Sequence, residues 1–60
     1  MKYSREVLAD WLDRIENEAS GLTAWESSFV VSLADQMDQG RNLSERQVEI
    51  LERIYVEKVP

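Results

Sequence analysis

The chain has no cysteine and no histidine, its one proline is at position 60, and its two glycines are at positions 21 and 40. Without cysteine no disulfide can reinforce the fold, and the common zinc frameworks, built on cysteine and histidine, are excluded as well. The same two absences remove Ser-His and Cys-His nucleophilic catalysis, because no side chain remains whose ordinary pKa suits it to accept a proton near neutral pH. Two widely separated glycines cannot build a phosphate-cradling loop, and no calcium-loop spacing of Asp and Asn occurs. No apolar run approaches the ~20 residues that span a bilayer. The opening Met1-Lys2-Tyr3-Ser4-Arg5-Glu6 meets charge at once, unlike an apolar leader. These absences lead us to expect no catalysis, cofactor, metal or membrane span, and a cytoplasmic setting.

Basic charge is also scarce. Seven Lys and Arg face twelve Asp and Glu, for a net charge of −5. Residues 21–40 contain three carboxylates and no basic residue. A nucleic-acid binder gathers Lys and Arg to neutralise phosphates, so direct duplex binding is disfavoured. The opposite role, an acidic decoy that mimics DNA, is an alternative, but Arg14, Arg46 and Arg53 interrupt the one-sign surface it needs. The acidic pairs Asp10–Asp13 and Asp35–Asp38 have a spacing that could serve acid–base chemistry if one member were buried. Surface charge on a helix explains them more simply.

Sixty residues make one domain, 1–60, with 43% hydrophobic and 32% charged residues, the composition of a folding chain. A chain this size buries only about 60% of the surface its unfolded form exposes, so a partner would be a useful support. The two glycines divide it into three segments of helical periodicity, at about 4–20, 23–39 and 44–58. Ser4 can cap the first helix, and Gly21 is placed to end it. Thr23 and Glu26 form a capping box for the second helix, and Gly40 follows its end. Ser44 and Gln47 form another box for the third, with Leu43 and Val48 spaced as a hydrophobic staple.

The expected class is all-α, either an antiparallel three-helix bundle or a helical hairpin completed by a partner. Its expected core is Val7, Leu8, Trp11, Leu12, Ile15, Trp25, Phe29, Leu33, Met37, Val48, Leu51, Ile54 and Tyr55. The weakly polar second helix is expected at the centre. Val31 falls outside that helix's apolar stripe, beside Ala24, Ser27 and Ser28. Those four residues are the candidate interface, because interface cores are depleted of charge.

Two resemblances add to this reading. Leu43 to Ile54, Leu-Ser-Glu-Arg-Gln-Val-Glu-Ile-Leu-Glu-Arg-Ile, resembles the first helix of the helix-turn-helix in LuxR-type regulators and sigma-factor region 4. The recognition helix that reads bases in those families would have to follow Pro60, so the match implies, as an alternative function, a helix-turn-helix-related DNA-associated protein without the element that reads bases. The longer pattern Trp25-Glu26-x-x-Phe29, then Gly40-Arg41-x-Leu43-Ser44-x-x-Gln47-x-x-Ile50-Leu51-x-Arg53-Ile54-Tyr55, resembles a helical hairpin that recurs in small phage and bacterial proteins, mostly of unassigned role. It implies a compact hairpin and a phage or prophage setting, with no catalytic residues. The expected function is a small acidic interaction module that binds another protein, host or self, as a homodimer in the latter case. In a phage setting, its partner would be a nucleic-acid-processing protein.

Overall fold

A computed structural model describes residues 3–60; Met1 and Lys2, which open the charged N-terminal run, lie outside the described residues. It is an all-α bundle of three helices, α1 (Arg5–Glu18), α2 (Ala24–Asp38) and α3 (Glu45–Lys58). Each begins where local chemistry directs. The Ser4 hydroxyl accepts from the Val7 amide at 3.3 Å. Thr23 and Glu26 exchange side-chain and backbone hydrogen bonds at 2.9 and 3.1 Å, and Ser44 and Gln47 do the same at 2.8 and 3.1 Å. Both boxes satisfy amides that the helix itself leaves without acceptors. The Leu43–Val48 staple is buried in the core.

The helix ends differ from one another. α2 closes in a Schellman motif: Gly40 adopts φ +81°, its amide donates to Met37, and the Arg41 amide donates to Gln36. α1 stops earlier than expected. Ala19 is already extended, so Gly21, at φ +74°, turns the loop and does not cap the helix. The Ser20 amide donates to the Lys58 carbonyl, and this tie to the end of α3 draws the chain out of helical geometry before the glycine is reached.

Side chains from a third helix pin each loop. Arg5 of α1 donates to the carbonyls of Met37 and Arg41 and to Asn42 Oδ1, at 2.8 to 3.2 Å. Lys58 of α3 donates to the Gly21 carbonyl at 3.2 Å and lies 3.9 Å from Glu26. Both pinning cations meet the opposite end of α2, so α2 runs antiparallel to its two neighbours.

The core is Leu8, Leu12, Ile15, Val30, Leu33, Leu43, Val48, Leu51 and Ile54. α1 is the central helix, packing on both others, while α2 and α3 touch each other least. That corrects the expected central place of α2. Its small, uncharged residues are simply surface, and only Val30 and Leu33 on it are fully buried. The expected core needs correction as well. Val7 and Trp25 are exposed, Trp11, Phe29, Met37 and Tyr55 are half-buried, and Val30 and Leu43 take buried places. The reason is geometric. An i, i+4 row drifts by about 40° per step, so Trp25 and Met37, three steps apart, point about 120° from each other. A helix seated on Val30 and Leu33 must turn Trp25 outward.

Candidate functional site

The two tryptophans occupy opposite environments. Trp11 is enclosed in an aromatic column, with Tyr3 edge-on at 4.6 Å and Tyr55 stacked at 5.1 Å. The Tyr3 hydroxyl donates to Glu52 and ties this column to α3. Trp25 is 60% exposed, stacked at 5.1 Å and 11° on Phe29 one turn away. Offset stacking of this kind favours the paired arrangement by about 0.5–1.5 kcal/mol.

The Trp25–Phe29 pair forms one wall of a trough along the α2–α3 seam. Ser28, Ser32, Leu33 and Gln36 continue the α2 wall, and Gln47 enters from α3. No residue of α1 lines it. At about 310 Å³ and open along its length, it cannot enclose a small molecule away from water. It suits a side chain or helix laid along it. No charged residue lines it.

The four residues expected from sequence, Ala24, Ser27, Ser28 and Val31, are all exposed on the outward side of α2. Val31 is 60% exposed. They form a strip beside the trough, and Ser28 belongs to both. Sequence reasoning did not single out Trp25 and Phe29 as surface, since their row looks like a core stripe. The available signal was the drift of that row, together with the position of Trp25 next to the first residue of α2.

Elsewhere the surface is largely charged, and some of its carboxylates are bonded to neighbours on their own helix. Asp10 lies 3.0 Å from Arg14 and holds its pKa above the usual value, with Tyr55 and Glu18 adding to the effect. Asp13 accepts from Asn17, and Asp35 accepts from Gln39. The acidic pairs are thus parts of exposed helix surface, each bonded to a residue one turn on. Val56, 72% exposed, stands among Glu49, Glu52, Arg53 and Glu57. Among the described residues no cluster of three or more His, Cys, Asp or Glu could hold a metal ion, and no helix is long and apolar enough to cross a membrane.

None of the family models, characterised proteins or solved structures compared with this chain matches it.

Proposed function

We propose that this protein is a small protein-interaction module that binds through α2, with Trp25 as its anchor. One observation carries the reading: a tryptophan, stacked on Phe29, is left 60% exposed beside an uncharged trough in a chain of net charge −5. Interfaces concentrate their binding free energy in aromatic and Arg anchors, within patches depleted of charge. The flanking strip of Ala24, Ser27, Ser28 and Val31 widens the patch and lets a partner's backbone approach closely. If the resemblance of the hairpin to small phage and bacterial proteins extends to role, the module acts as a modulator of a nucleic-acid-processing protein.

The test is a pull-down from host lysate with mass spectrometry, using the parent, Trp25→Ala and Val56→Ala. Val56 is at least as exposed as Trp25 but lies on α3 among charges. Partners retained by the parent and by Val56→Ala, and lost with Trp25→Ala, are the expected result. Retention by all three would remove Trp25 as anchor.

A further inference from the structure

We infer that the seam between α1 and α2 binds an amphipathic basic helix, with its apolar side chains at one end of the seam and its Lys or Arg side chains at the other. This surface is separate from the α2–α3 trough, and the inference stands without the reading of Trp25.

Two hollows of about 250 and 200 Å³ follow one another along the seam and share Glu16; no residue of α3 lines either. Their α2 wall extends from Ser27 to Asp38, about 16 Å at 1.5 Å per residue, which is the length of a helix of about three turns. Each hollow is small and open for a small-molecule site, and side chains of one element laid across both suit them better. α1 and α2 are antiparallel, and a helix in this seam would join them as neighbours in a four-helix bundle are joined.

The two ends of the seam differ in chemistry. At one end Ile15, Leu22 and Val30 form an apolar hollow, with Val31, 60% exposed, at its edge. At the other, Ala34 and Met37 lie among three exposed carboxylates, Asp13, Glu16 and Asp38. No Lys or Arg lines either hollow, and none of these three carboxylates is in an ion pair among the described residues. Arg5, a turn before Ala9, directs its donors to Met37, Arg41 and Asn42, at the end of α2 and in the loop after it.

These carboxylates call for cations from outside. Asp38 ends α2 and Glu16 lies in the last turn of α1, where the helix dipole disfavours negative charge, and neither helix has a basic residue in its last turn. A partner's cations would offset both the dipoles and the mutual repulsion of the acids. Among the described residues no three acidic groups are placed to hold one metal ion. The cations that suit them are therefore separate ones on flexible stems, as Lys and Arg provide. An anionic membrane or nucleic acid would be repelled by the same groups.

The probe is a dye-labelled helical peptide of about 14 residues, long enough to span the seam. Along one face it has leucines in its first turns and lysines in its last turns, with alanine and glutamine elsewhere. Fluorescence anisotropy with the full chain at low salt should give a dissociation constant on the order of 50 µM, rising as salt is added. Changing Asp13→Asn, Glu16→Gln and Asp38→Asn together should weaken binding about tenfold. Val31→Ser should weaken it about fivefold, and a peptide with serine in place of leucine should bind weaker by a similar factor. Changing Glu45→Gln, Glu49→Gln and Glu57→Gln on α3 removes the same charge from the chain and should weaken binding less than about twofold. The triple seam variant should melt no lower than the parent, since two of its changes relieve helix C-terminal ends.

No binding by the parent at about 500 µM protein overturns the inference. A seam variant that weakens binding no more than the α3 variant does so too, because the effect is then one of net charge alone. A serine peptide that binds as well as the leucine peptide removes the apolar end of the site, and with it the amphipathic helix as occupant.

Discussion

Leu33 and Leu51 have no exposed surface, and truncating either to Ala leaves a cavity at the junction of the helices. Each change should cost about 2–5 kcal/mol, a large share of the stability a domain this size can have. Trp25→Ala removes more atoms but from a side chain that already faces water, so it should cost under about 1 kcal/mol. Thermal melts followed by circular dichroism separate the cases. A Trp25→Ala melt displaced as far as that of Leu33→Ala would place the indole in the core. Size alone suggested that both tryptophans were core, because a small chain has few residues of comparable area. What decides between them is the company each keeps. Trp11 is covered by Tyr3, before α1, and Tyr55, in α3, and this is not visible from periodicity within one helix. Leu43 shows the converse. As a loop residue it contributes to no helical stripe, yet the staple spacing marked it, and it is buried.

At the scale of the helix, the signals that were legible are those that act within a few residues. The capping boxes at Thr23 and Ser44 need only a hydroxyl and a carboxyl or amide three positions apart, and both form as the sequence implies. Ser44→Ala should therefore destabilise by about 1 kcal/mol, whereas Ser27→Ala, at an exposed site within α2, should be neutral or slightly stabilising. Equal melting shifts for the two would remove the cap at Ser44. The early end of α1 was not legible because the Ser20–Lys58 bond joins residues that only the tertiary fold brings together. Arg5 was hidden for the same reason. Its carbonyl acceptors lie across the bundle, at the far end of α2 and in the following loop. The place of α2 was misjudged through its composition. A helix whose outer face is small and uncharged looks like one meant for the interior, and here that face is the patch on which the proposed function rests.

At the scale of the molecule, charge separates the remaining alternatives. A duplex-binding protein presents a basic stripe and loses affinity steeply as salt rises, in proportion to the phosphates it neutralises. This chain has a net charge of −5, and its cations are partly committed. Arg5 caps the end of α2, Arg14 pairs with Asp10, and Lys58 holds the Gly21 carbonyl and lies near Glu26. The basic residues left in α3, Arg46 and Arg53, are interleaved with Glu45, Glu49, Glu52 and Glu57. The segment of α3 that resembles the first helix of a helix-turn-helix also has its apolar side, Val48, Leu51 and Ile54, buried in the core. Arg5, Arg14, Arg53 and Lys58 thus stand beside carbonyls or carboxylates and not in a row of adjacent cations. The protein should therefore give no retardation of random duplex DNA at physiological salt, even at protein concentrations of tens of micromolar, roughly where non-specific binders are already engaged. Gel retardation across a salt series is the measurement. A shift at low micromolar protein that weakens as salt rises would show a phosphate-binding surface, and would put the resemblance to helix-turn-helix proteins ahead of the interaction module.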